Sequence, residues 1–213
     1  MDAEDEIGYL GGIMDCNMNM KKFIAKKCKI ASYNLYNISK LRKYITKETC
    51  ATLMQSLVTS HLDYANAILV NLPKKTLQPL QRIQNMAAKI TLLKSREDSA
   101  TEARKELHWL PIEQRIQYKV CLTVHKCRND EAPKYLQELL MEKKDTGYNT
   151  RQSDDELLET PTTQRSTFAD RSFAVAGPKL YNELPADLRN TTNMESFKKG
   201  LKTYLFRKAY TLN

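Results

Sequence analysis

The sequence predicts a mainly α fold: a basic helical bundle preceded by a short β element, then a second, mostly helical subdomain with a long mobile loop. Three observations predict it. Six Gly and seven Pro in 213 residues are too few for the many tight turns of an all-β chain. Apolar residues recur at steps of three and four through long segments, the period of a helix with one buried face. Charge is divided unevenly along the chain, which marks two parts with different surroundings. Apolar residues at 41% and charged residues at 28% lie near the globular average, which excludes a wholly disordered chain, a collagen and a disulfide-stapled miniprotein. A chain of this length can bury roughly 70% of its unfolded surface, enough for a core without staples.

In chain order, residues 8–14 are a strand candidate. Residues 20–45 form the first helix, with Met20, Phe23, Ile24, Cys28, Ala31, Leu35, Ile38, Leu41 and Ile45 on one face. Residues 32–39 are where that helix would break. Thr46 is placed to cap a second helix, whose inner face is Cys50, Leu53, Met54, Leu57 and Val58. Residues 62–72 are short and apolar and fit helix or strand. A third helix starts at Lys75 or Thr76, with Leu77, Leu80, Ile83, Ala87 and Ile90 inward and Pro79 in its first turn. Pro111 suits the first position of a helix running to about Cys127, and Pro133 opens another to about Met141. Residues 170–176 read as a short helix stopped by Gly177-Pro178. Residues 166–168 are a second strand candidate. The last helix is residues 193–208, capped by Thr192 or Asn193. Residues 143–165 hold little that is apolar besides Leu157 and Leu158, and read as a long mobile loop. Internal repeats are absent.

The net charge of +9 points towards polyanionic partners. Residues 1–6 carry four acids and no base. Residues 7–96 carry fifteen bases against Asp15, Glu48 and Asp63, a net +12; residues 97–213 are nearly neutral, with nineteen bases and eighteen acids. The expected divisions are therefore residues 1–16, a short β element; 17–96, a basic helical domain; and 97–213, a C-terminal helical domain containing the loop 143–165. No stretch reaches the ~18 apolar residues of a membrane span, so no membrane partner is expected. The acidic start, Asp2, Glu4, Asp5 and Glu6, has the wrong sign for a signal peptide. Five irregularly spaced Cys (16, 28, 50, 121 and 127) read as reduced, mostly buried thiols of an intracellular protein, nuclear or cytoplasmic.

On a wheel of ~100° per residue, the first helix places Lys21, Lys22, Lys26, Lys29, Lys40 and Lys43 opposite its apolar arc, with Tyr33, Tyr36 and Tyr44 among them. Lysines neutralise phosphates, and exposed tyrosines stack on bases or ribose. This combination fits a tracker of nucleic-acid backbone; the alternative is an ordinary solvated helix face. Arg115, Lys119 and Lys126 form a second, weaker stripe, moderated by Glu113. Motifs of chemistry are few. Cys121, His125 and Cys127 resemble zinc ligands only superficially, because on a helix Cys127 points away from the other two. Neither a Walker-type nor a dinucleotide-binding glycine loop occurs. His61, His108 and His125 show no triad spacing. Asp154-Asp155 lacks the apolar strand that would hold a two-metal pair rigid, and reads as solvated.

Several segments, in order, resemble the region after the catalytic palm of reverse transcriptases from LINE-type non-LTR retrotransposons, in the Jockey-like branch. They are Tyr9-Leu10-Gly11-Gly12 with Asp15; Ser60-His61-Leu62-Asp63-Tyr64 with Ala67 and Leu69; Leu72-Pro73-Lys74-Lys75; and Leu80-Gln81-Arg82-Ile83-Gln84-Asn85. Then follow Leu107-His108-Trp109-Leu110-Pro111-Ile112-Glu113, the most specific piece; Ala132-Pro133-Lys134-Tyr135-Leu136; Asp170-Arg171-Ser172-Phe173; Pro178-Lys179-Leu180-Tyr181-Asn182-Glu183-Leu184-Pro185; and Phe197-Lys198-Lys199 to Leu205-Phe206. Tyr181 stands where that family has Trp, and Ala65 where it often has Cys.

The resemblance implies that residues 1–16 are a remnant of the strand element closing the palm, and that residues 17–96 are a thumb gripping the template–primer duplex. The family's aromatic-Ala-Asp-Asp strand would precede Tyr9 and is not in this sequence. The chain alone is thus expected to be no enzyme and to hold no cofactor, the Mg²⁺ of the parent polymerase sitting on residues absent here. The expected partners are RNA or RNA–DNA duplex backbone and the missing palm of the parent polymerase. The expected contact residues are Lys21, Lys22, Lys26, Lys29, Tyr33, Tyr36, Lys40, Lys43, Arg115 and Lys119. The alternative is a protein–protein interaction module that binds no nucleic acid. Trp109, beside Leu107, Leu110 and Ile112, is expected to be buried.

Overall fold

The computed structural model describes residues 6–9, 12–15, 18–142, 157–162 and 169–210. The chain is mainly helical and divides into two compact units, Met1–Glu113 and Gln114–Asn213. The boundary falls later than residue 96, because the segment after the third long helix folds back onto it. Strands β1 (Glu6–Tyr9) and β2 (Gly12–Asp15) pair antiparallel, with Ile7 opposite Met14. Where one strand over 8–14 was expected there are thus two, on either side of residues 10 and 11. Residues 166–168 and most of the loop 143–165 lie outside the described residues. The described part of that loop is anchored: Leu158 is buried, and its amide and carbonyl both bond the Asn182 side chain, at 3.0 and 2.8 Å.

In the first unit, α1 (Lys21–Leu41) packs against α4 (Lys74–Thr91). Met20, Phe23, Ile24, Ala31, Leu35 and Ile38 are buried on α1, and Leu77, Leu80, Ile83 and Ala87 on α4. α1 does not break at residues 32–39; the Ser39 hydroxyl folds back onto the Tyr36 carbonyl at 2.6 Å, a bond a helix tolerates. A 3-10 turn, Arg42–Tyr44, ends it, which leaves Leu41 exposed and Ile45 half-buried rather than in the core. α2 (Lys47–Met54) is capped by Thr46, whose hydroxyl accepts the Thr49 amide. It continues through a π turn, Gln55–Thr59, into α3 (Ser60–Asp63). The wider π turn keeps residues four apart in line, so Cys50, Met54, Val58 and Leu62 are buried while Leu57 is exposed and Leu53 half-buried. Residues 62–72 become neither a long helix nor a strand but a 3-10 segment, Asn66–Leu69.

α4 begins one residue earlier than expected, so Pro79 lies beyond the first turn. It costs the bond to the Lys75 carbonyl, and both residues are exposed to water. A helix the periodicity missed, α5 (Ala100–Glu106), is capped by Ser99, which accepts the Glu102 amide. The segment after it is tied to α4 by two glutamines. Buried Gln84 donates to the Leu110 carbonyl at 2.8 Å, and Gln81 accepts the Ile112 amide at 3.0 Å. Trp109 is half-buried rather than buried; Leu110 and Ile112 carry the core there.

The second unit is built on α6 (Ile112–Arg128), which begins just before the unit boundary, with α7 (Lys134–Gln137), α8 (Phe173–Asn182), α9 (Ala186–Arg189) and α10 (Met194–Tyr210). Asn193 caps α10 by accepting the Ser196 amide. α7 is one turn, shorter than expected. α8 runs straight through Gly177-Pro178 instead of stopping there. Gly177 serves close packing: a Cβ there would meet Val124 Cγ2 at 3.0 Å.

Candidate nucleic-acid interface

No acid occurs between residues 16 and 47, and α1 lies inside that stretch. Lys22, Lys26, Lys29, Tyr33, Tyr36 and Lys40 follow one another in alternating steps of four and three, so they form a single stripe along the helix, which Lys43 continues on the 3-10 turn after it. The stripe is about 30 Å long at 1.5 Å per residue. Every one of these residues is exposed, as is Lys21 at the stripe's edge. Tyr33 and Tyr36 stand out at 67% and 57% exposure. The Lys40 ammonium sits 4.2 Å from the centre of the Tyr36 ring, and that of Lys43 sits 4.8 Å from the Tyr44 ring. Such cation–π pairs keep flexible lysines and aromatic faces together on the surface.

Two basic residues of the same stretch turn inward. Lys27 is buried and donates to the carbonyls of His61, at 3.0 Å, and of Tyr64. Its ammonium also lies 4.6 Å from the Phe23 ring and 4.8 Å from the Tyr64 ring. Burial lowers its pKa to about 8, while Asp63 pulls it upward. Lys27 thereby satisfies carbonyls at the end of α3, explaining in packing terms why a lysine faces the Ser60–Tyr64 segment. Its wheel position, inside the apolar arc, was the available signal. Arg42 does the same for α4. Its guanidinium donates to the carbonyls of Ile90, Thr91 and Ile45 at 2.8–3.2 Å, and a cation suits a helix C-terminus.

Arg115 and Lys119 lie on α6 in the second unit, Arg115 half-buried and Lys119 exposed. The acid-free stripe of α1 is therefore described by itself. The second unit's polar centre is structural. The His125 ring stacks on Phe197 at 3.6 Å with 3° between planes. The Asn129 amide nitrogen, which can only donate, lies 3.0 Å from His125 Nε2. The ring proton therefore sits on Nδ1, which donates to the Tyr181 hydroxyl at 3.1 Å, and that hydroxyl donates onward to the Arg189 carbonyl at 3.2 Å. Burial, with help from Arg128, lowers the pKa of His125 to about 4. Burial pushes the Cys121 thiol up to about 12, far from the range of a reactive cysteine.

Among the described residues, no group of three or more His, Cys, Asp or Glu is placed to hold a metal ion, and no helix is long and apolar enough to cross a membrane. Asp154-Asp155 and Cys16 lie outside the described residues. The chain matches no family model, no curated protein and no solved structure.

Proposed function

We propose that this chain binds nucleic acid through the lysine–tyrosine stripe of α1, as the thumb and post-thumb part of a LINE-type reverse transcriptase. It grips template–primer backbone and does no catalysis by itself. The observation that carries the reading is the stripe: six exposed basic or aromatic residues in register on an acid-free helix, with Lys43 on the 3-10 turn that follows it. Phosphates are the ligand such a surface suits, since each neutralised phosphate releases counterions. The ordered series of family-like segments supports the parentage, and the palm of the parent enzyme would supply the carboxylates and Mg²⁺. Some of those segments have structural work here, as Gln81 and Gln84 do in holding Leu110 and Ile112.

The interaction-module reading draws on the second unit, where Tyr135, Leu139 and Met141 are exposed apolar side chains. Titrating RNA and an RNA–DNA duplex at several salt concentrations separates the two. Binding with a log–log salt slope of about −3 to −4 supports phosphate contact by four or five lysines. No binding at 50 mM salt refutes it and leaves the interaction module.

A further inference from the structure

Residues 157–162 are held in the second unit as a bound peptide is held. Leu158 alone among them is buried; Leu157 is half-buried, and Glu159, Thr160, Pro161 and Thr162 are exposed. The backbone is gripped along both edges. On one edge the Leu158 amide donates to Asn182 Oδ1 at 3.0 Å, and Asn182 Nδ2 donates back to the Leu158 carbonyl at 2.8 Å. On the other, the Glu159 amide donates to the Met141 carbonyl at 2.7 Å, and Leu158 forms an antiparallel bridge with Glu142. Asn182 is the last residue of α8. It follows Tyr181, whose hydroxyl is locked between His125 and the Arg189 carbonyl, so the clamping amide has a rigid mount.

Peptide recognition by strand addition works this way: main-chain bonds supply affinity, and a pocket for one side chain supplies selectivity. The three bonds serve any extended residue, and the one buried side chain asks for an apolar one. Exposed Leu139 and Met141 lead up to the slot and add apolar surface to it. A segment that buries one side chain gives up little on leaving, so it opens without unfolding the helices around it. We propose that the slot between Asn182 and Met141 is a docking site for an extended, leucine-bearing peptide of a partner protein, and that residues 157–162 are its occupant in cis. The segment in the slot displays the chemistry of the ligand that fits there, a leucine in extended backbone between polar neighbours. The proposal rests on the second unit alone and stands whether or not the α1 stripe binds nucleic acid.

The test uses the full chain and a fluorescein-labelled peptide of residues 155–162, read by anisotropy. Leu158→Asp in the protein expels the cis segment, and circular dichroism verifies the helices. A site occupied in cis binds a competitor more weakly by the fraction of time it stands open, so Leu158→Asp is expected to bind the peptide at least about tenfold tighter than wild type. A peptide carrying Leu158→Ala is expected to bind that variant about tenfold more weakly than the unaltered peptide. Adding Asn182→Ala to the Leu158→Asp protein removes two main-chain bonds and is expected to cost about another tenfold. A folded Leu158→Asp protein that binds the peptide no better than wild type overturns the docking site, as does equal binding of the two peptides. If Leu158→Asp fails to fold, hydrogen–deuterium exchange of the wild-type protein decides. Excess peptide is then expected to speed exchange at the Leu158 and Glu159 amides while leaving α6 and α8 unchanged, and unaltered exchange at those two amides overturns the proposal.

Discussion

Acidification should weaken the second unit through one residue. His125 is neutral in the fold, with its Nε2 lone pair facing the Asn129 amide. Protonation there sets two donors against each other, and its pKa falls to about 4 from an ordinary 6.5. A depressed folded pKa means that the unfolded chain takes up the proton first. Stability is therefore fully present above pH 6.5 and is lost as the pH falls towards 4. At 1.36 kcal/mol per unit, the fall from pH 7 to pH 5 removes about 2 kcal/mol. Urea denaturation followed by circular dichroism at both pH values measures it. The comparison is with His125→Phe, which keeps a ring against Phe197 but cannot titrate. Asn129→Asp supplies an acceptor for the Nε2 proton and should abolish the loss. A wild-type protein that loses no more stability than His125→Phe between pH 7 and pH 5 would refute the network as drawn.

Three further outcomes are expected. Lys27→Met leaves the His61 and Tyr64 carbonyls unmet and should cost about 1–3 kcal/mol in urea denaturation, whereas Lys26→Met, one position away on the exposed stripe, should leave stability nearly unchanged. Ser99→Ala removes the cap that accepts the Glu102 amide and should cost about 1 kcal/mol, seen as a lower thermal midpoint. Primer extension on an RNA template with Mg²⁺ or Mn²⁺ should give no incorporation above a mock preparation.

Helix interiors were legible because burial writes a period into the sequence, and so were the starts capped by Thr46 and Asn193; several C-terminal ends were not, because their usual signal is absent. Three helices end in a left-handed residue with the paired bonds of a Schellman turn: Leu93 after α4, His108 after α5 and Asp130 after α6. None is glycine, so the customary marker gives no warning. The one conspicuous stop, Gly177-Pro178, lies inside α8, where glycine is needed to let Val124 approach. Ser99 and Glu102 stand at the start of α5 with the spacing of a helix cap, but a seven-residue helix has too few turns for periodicity to register. The stripe on α1 was readable since it needs only helical spacing. The inward turn of Lys27 was marked only by its place inside the apolar arc, and that of Arg42 depends on the Ile90 and Thr91 carbonyls, far along the chain, which no local pattern records.

Contact between the α1 lysines and phosphates, as proposed, is checked by the salt dependence of binding. Lys22, Lys26 and Lys29 replaced together by Gln keep helix propensity nearly intact, and circular dichroism verifies the fold. If each lysine neutralises one phosphate, the triple variant binds more weakly at low salt, and its log–log salt slope is flatter by about two to three units, alike for unrelated sequences. A folded triple variant that binds with the wild-type slope would contradict the account and make the stripe an ordinary solvated face.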